Sequence, residues 1–285
     1  MVYIELLIAG IASGFLAGLL GIGGGFVVVP VLMLLLPQFD IAPNIAPQVA
    51  VATSLAAMVP TAVSALLTQH RRGFLDTRWV SRLAPGAAAG ALTGAQLAKH
   101  IHGAWIAGFF ALYAGYFALK MLRDPVVDPN HSSHLARLIA RVKRPWVALG
   151  IGGFSALAGV GGASLTIPYL LLAKVDMRRA VAVSSAVGLA IAAAGALSFA
   201  TGVGPVAGDK TLVGLVCWPA ALTIAMSAIW MAPRGVAASH GLPVRQLKRA
   251  FGGVLLAVCV TTLVKLAEPP VAPIATQVAS AFATR

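Results

Sequence analysis

The chain has 285 residues, of which 59% are hydrophobic and only 10% charged, against roughly 25% charged in an ordinary soluble domain. With a mean hydropathy of +0.90, this composition excludes a soluble globular protein and points to a polytopic membrane protein. The net charge of +13 does not imply nucleic acid, because the 21 Lys and Arg are spread over several short loops, where such residues set topology.

Eight apolar blocks reach the length of a spanning helix, about 20 residues. They lie at 3–36, 47–69, 79–98, 104–122, 146–173, 180–203, 211–231 and 250–266. The first charge is Glu5, with no basic region before it, so no cleaved signal peptide is expected. The first block contains GLLGIGGGFVVVP (18–30) and the fifth contains ALAGVGGASLTIP (156–168). Both are longer than one span requires, and both are interrupted by glycines.

These two stretches begin an internal repeat. Gly21, Gly23, Gly24 and Pro30 align with Gly159, Gly161, Gly162 and Pro168. VATSLAAMVPTAVSALLTQHRRG (51–73) then parallels VAVSSAVGLAIAAAGALSFATGVG (181–204), and Pro85 parallels Pro219 in the next block. Each half closes with a block holding Phe110 or Phe251. The organisation is therefore an N-terminal transmembrane repeat (1–122), a basic cytoplasmic linker (123–145), a C-terminal transmembrane repeat (146–266) and a tail (267–285).

Basic residues cluster at 70–82, in 123–145, at 174–179 and at 234–249. If all eight blocks crossed, the last two clusters would face away from the first two, against the positive-inside rule. If the two Gly-bearing blocks dip in and return, all four clusters share the cytoplasmic side. Each half then has three crossings, an odd number, and the halves are inverted. The expected fold is thus all-α, with two inverted four-segment repeats. Each has a Gly-broken re-entrant or discontinuous first segment and three spanning helices.

Non-helical backbone at membrane depth is tolerated where it is buried in protein or lines a cavity, and in inverted repeats such breaks face the substrate. After each break a half-helix begins (26–36 and 164–173). Its first N–H groups carry the positive end of the helix dipole, a natural anion site. The candidate substrate-binding residues are Gly23, Gly24, Gly25, Gly161, Gly162, Ala163 and Ser164. Thr53, Ser54, Ser184 and Ser185 join them from the following helices, where the alternative is a bond back to their own helix carbonyls. Close helix packing is the alternative role for the glycines, and it is the one assigned to Gly86, Gly90 and Gly94. Pro30 and Pro168 are structural. Gln69, His70 and Arg71, at a helix end, are either topology anchors or an anion-gathering gate. Thr93, Gln96, Thr223 and Ser227 are lesser lining candidates.

No Asp or Glu lies deep within an apolar block, which disfavours cation transport and proton coupling through a buried carboxylate. His100, His102, His131, His134 and His240 fall in expected loops, and Cys217 and Cys259 sit in apolar blocks as small hydrophobes. No metal, cofactor or enzymatic activity is expected.

The paired glycine motif, with ATSLAAMVPTAVSALLTQHRRGFLD after the first copy, resembles the TauE/SafE family of membrane transporters, also called sulfite exporters, over about 3–266. Matching positions are Gly23, Gly24, Gly25, Pro30, Thr53, Ser54, His70, Arg71 and Gly73, then Gly161, Gly162, Pro168, Ser184 and Ser185. Ala163 stands where a third glycine could, and the second copy lacks the basic cluster after its helix. The resemblance implies a multi-pass carrier in the cell inner (plasma) membrane that exports a small, sulfur-containing anion such as sulfite, sulfoacetate or a related organosulfonate. Ion-coupled uptake of a small organic anion is the alternative, with a non-transporting membrane anchor third. The partners are a small anion and the lipid bilayer, not nucleic acid; a homodimer is open.

Overall fold

Glycine decides where the first apolar block stops being one helix. In this computed structural model α1 (Val2–Leu20) ends before the glycines and α2 (Gly25–Leu35) starts within them, followed by a 3-10 turn (Leu36–Phe39). The described residues are 2–20, 24–39, 41–123, 144–201, 212–238 and, in the last block, 252–253, 255–257 and 259–262. Gly21, Gly23, nearly all of the 123–145 linker and the 267–285 tail lie outside them. The chain continues with α3 (Ala46–Arg71), α4 (Thr77–His100) and α5 (Gly103–Arg123). The second half gives α6 (Arg144–Ala158), α7 (Ala163–Leu172), α8 (Met177–Ala200) and α9 (Trp218–Ala238). Each half-helix thus begins within a residue of its expected start. Pro30 and Pro168 fall inside α2 and α7, where each removes one donor from the helix ladder.

The fold is all-α as expected, with one small addition. A two-residue hairpin, β1 (Leu212–Val213) with β2 (Val216–Cys217), precedes α9, pairing Leu212 with Cys217 and Val213 with Val216. Among the described residues four helices, α1, α3, α8 and α9, are long and apolar enough to cross a membrane. Two of the acidic side chains start helices. Asp76 accepts from the Arg78 N–H at 3.0 Å, and Asp176 from the Arg178 N–H at 3.1 Å, satisfying N–H groups that helix geometry leaves open. His100, expected in a loop, is the last residue of α4.

In a bilayer, helices associate through close packing of small residues rather than through hydrophobic exclusion. On α1, Gly10, Gly14 and Gly18 meet Ile224, Ala228 and Ala232 of α9 in ascending order, so the two helices run the same way. On α4, Gly86, Gly90 and Gly94 meet Ala148, Leu149 and Gly153 of α6 in the same sense. The first helix of each half therefore docks on the third-segment helix of the other.

The centre is α3 against α8. Leu55 packs on Gly195, while Thr61, Ala62 and Ala65 share a cleft with Ser184, Ser185 and Gly188. As one sequence number rises the other falls, so α3 and α8 are antiparallel. Helix α3 runs with α9: Thr53 Oγ1 accepts from the Cys217 N–H at 3.0 Å, Ser64 Oγ donates to the Ile229 carbonyl at 3.1 Å, and the Arg72 guanidinium donates to the Val236 carbonyl at 3.4 Å.

It follows that α1 and α3 point in one direction, and the chain between them must come back. It does so through α2 and the 3-10 turn, which bring Phe39 against Tyr3 at 6.1 Å, edge to face. The first apolar block is thus a hairpin of helices. The same accounting brings α7 back between α6 and α8. It also gathers the basic segments. The Arg178 guanidinium lies 5.8 Å from the Phe74 ring, and Arg72 reaches the end of α9, so the 70–78, 174–179 and 234–238 stretches share one end of the molecule.

Candidate functional site

The two breaks adopt the same backbone. Gly24 has φ 69° and ψ −14°, and Gly162 has φ 72° and ψ −12°, both in the left-handed region that side chains with a Cβ rarely enter. Each is the N-cap of its short helix, and neither helix has a side-chain cap. The Gly24 carbonyl accepts from the N–H groups of Val27 (3.0 Å) and Val28 (3.2 Å). The Gly162 carbonyl accepts from those of Leu165 (3.1 Å) and Thr166 (2.9 Å). The first-turn N–H groups ahead of these have no intrahelical partner by construction. Gly24, Gly25, Gly161, Gly162, Ala163 and Ser164 are all buried, so the positive ends of α2 and α7 face the protein interior.

The tips also touch. A Cβ on Gly25 would lie 2.2 Å from the Gly159 carbonyl oxygen and 3.0 Å from the Val160 Cα. Ser54 Oγ donates to that same Gly159 carbonyl at 3.0 Å, tying α3 to the second break. Beside the second tip is a cleft of about 20 Å³ lined by Gly161, Ser184, Ser185, Thr61, Ala62 and Ala65, among others. That is room for a single water. The cleft's α3 and α8 lining lies between the centre and the end that carries the basic segments.

The family description Sulfite exporter TauE/SafE matches residues 6–262, nearly the whole chain and both breaks. The chain belongs to the TauE/SafE family. A Haemophilus influenzae protein named Probable membrane transporter protein is 29% identical over 260 residues, covering 91% of this chain and 97% of the relative. A protein of the same name from Xylella fastidiosa strain 9a5c is 27% identical, covering 87% of this chain and 89% of the relative. Probable membrane transporter protein YunE of Bacillus subtilis is 25% identical over 60% of this chain and 68% of its own length. No solved structure matches. The protein is a multi-pass membrane transporter.

Within this TauE/SafE protein the hydroxyl candidates divide. Ser184 and Ser185 both donate to the Val181 carbonyl, at 2.8 and 3.1 Å, the bond to the helix's own backbone that their position allows, and both line the cleft. Thr53 holds the Cys217 N–H and Ser54 the Gly159 carbonyl, away from the cleft lining. Gln69 is buried at the end of α3, while His70 and Arg71 are exposed beside it, about one to two turns beyond Ala65, the cleft-lining residue of α3 nearest to them. Thr93 and Gln96 face outward on α4, and Thr223 donates to the Pro219 carbonyl of its own helix. None of these last three lines the cleft. Thr61 and Tyr113 were not among the sequence candidates. Thr61 enters through the antiparallel register of α3 and α8, and Tyr113 through a contact between halves.

Proposed function

We propose that the protein exports a small sulfur-containing anion, sulfite, sulfoacetate or a related organosulfonate, from the cell across its plasma membrane. The observation that carries this reading is the pair of matched helix N-termini without side-chain caps that meet at the centre. Two positive dipole ends converging in a low-dielectric interior attract an anion and repel a cation. Among the described residues the acidic side chains Glu5, Asp76 and Asp176 all stand at helix starts, none beside the tips. An inside-negative potential contributes about 2.3 kcal/mol per charge per 100 mV, so a dianion leaves without a coupled ion.

The reciprocal docking of α1 on α9 and α6 on α4, with α3 and α8 antiparallel, supports two inverted repeats whose glycine-bearing segments are re-entrant. No nucleophile, base or metal is required of such a carrier.

Proteoliposomes loaded with labelled sulfite or sulfoacetate should release them saturably, and faster under an inside-negative potential. Saturable movement of a metal cation with no response to either anion overturns the reading. Orientation has its own test. Cysteines introduced as Thr77→Cys and Arg179→Cys should react only from the cytoplasmic side, and those from His102→Cys and Thr201→Cys only from outside. The native Cys217 and Cys259 are buried and serve as a quiet background. Labelling of Thr77→Cys and Arg179→Cys from opposite faces would contradict the shared basic end.

A further inference from the structure

The two tips match in backbone but not in side chains. With the glycines aligned, Ser155 corresponds to Ala17 and Ser164 to Phe26. Only the second tip is rich in hydroxyls. Tyr113 of α5 reaches it from the other half: its hydroxyl lies 2.5 Å from Ser164 Oγ, with either group able to donate. Ser155 is fully buried and stands near the Tyr113 hydroxyl. A Cβ on Gly162 would lie 3.3 Å from its Oγ. That oxygen makes no hydrogen bond of normal geometry.

The hydrogens can be counted. Tyr113, Ser155 and Ser164 own three hydroxyl hydrogens, and with Tyr113 between the two serines at most two of them are taken up within the group, so one is left over. Buried donors without acceptors are unfavourable, and the α7 N-terminus adds N–H donors at the same spot. Nothing there is charged. A convergence of donors with too few acceptors is complementary to the oxygens of an anion.

We propose that Tyr113, Ser155 and Ser164, with the first turn of α7, form an oxyanion subsite that binds the oxygens of a sulfite- or sulfonate-class substrate. It rests on the anion-export reading. The first tip offers no equivalent: Phe26 stands there, its ring stacked on that of Tyr113 at 5.6 Å. Binding is therefore one-sided although the backbone is symmetric. The atom nearest to a Cβ on Gly162 would be the flexible end of Ile191, at 2.4 Å, rather than backbone.

The test compares sulfite transport by wild type, Tyr113→Phe, Ser155→Ala and Ser164→Ala in proteoliposomes. A hydrogen bond to a charged group corresponds to roughly a tenfold or larger change in affinity. Each variant should raise KM by about that factor while maximal rate changes little. Tyr116→Phe, on the same helix but exposed, should leave both unchanged. Sulfite should raise the melting temperature of the purified wild type, and the variants should lose that rise at the same concentration. Should Tyr113→Phe fail to insert, Ser155→Ala, which removes one oxygen, decides. If wild type moves sulfite and all three variants keep its KM and its melting shift, the subsite is wrong while the export reading stands. If wild type moves neither sulfite nor sulfoacetate, both fall.

Discussion

Gly24→Val and Gly162→Val will each abolish anion transport, and they will do so differently. Both positions hold positive φ, where an L-residue is disfavoured by about 1–2 kcal/mol and a β-branched one more strongly. At Gly24 the new Cβ would also lie 2.8 Å from the Ser13 carbonyl oxygen and 2.9 Å from the Ser13 Cβ. Those atoms belong to α1, itself locked on α9, and cannot retreat. Gly24→Val should therefore lower the yield of folded protein as well as transport. At Gly162 the nearest atom is the terminal methyl of Ile191 at 2.4 Å, the loose end of a side chain. This variant should insert and fold, and fail because its methyl groups fill the space of the anion. The repeat alone leads one to expect equal damage at the two sites; the surroundings of the tips make it unequal. Folded yield by size exclusion, set beside sulfite flux, separates the cases. Normal flux in a well-folded Gly162→Val protein would remove the tips from the transport path.

The helix breaks were legible because their causes are local. Consecutive glycines followed by an apolar run fix where α1 and α6 end, and α2 and α7 start within a residue of expectation. The clustering of basic residues was legible for a similar reason, since charge cannot be hidden in lipid. Side-chain partners were not. Thr53 bonds to Cys217, 164 positions away, and no periodicity announces that pairing. Tyr113 reads in sequence as one aromatic among several in FFALYAGYF (109–117); only the docking of α5 across α2 and α7 brings its hydroxyl to Ser164. The hairpin at 212–217 was concealed inside an apolar stretch whose composition suits a helix equally well. Gly10, Gly14 and Gly18 carried a four-residue spacing as clear as that of Gly86, Gly90 and Gly94.

That spacing leads to the second large effect. Gly152→Ala should destabilise the protein strongly, whereas Gly150→Ala, two residues away on the same helix, should not. A Cβ at Gly152 would fall 1.9 Å from the Ala87 carbonyl oxygen of α4 and 2.7 Å from its carbon. Real Cβ atoms do not come that close to backbone, so α6 and α4 must separate along their shared length. Overpacking of this kind costs about 1–3 kcal/mol where neighbours can shift. Here the neighbour is a main chain, and the contact joins the two halves, so the upper end of that range is expected. At Gly150 a Cβ meets nothing within 4 Å, and replacing a mid-helix glycine with alanine favours the helix by roughly 0.5–1 kcal/mol. Gly14→Ala and Gly18→Ala should behave like Gly152→Ala. Their Cβ atoms would lie 2.4 Å from the Ala228 oxygen and 2.0 Å from the Ala232 oxygen of α9, the reciprocal contact between halves. Thermal unfolding in detergent should then show one outlier, Gly150→Ala, at or above the wild-type midpoint, and the other three well below it. Equal midpoints for Gly150→Ala and Gly152→Ala would mean that α4 and α6 do not approach this closely, and the reciprocal docking of the two halves would have to be redrawn.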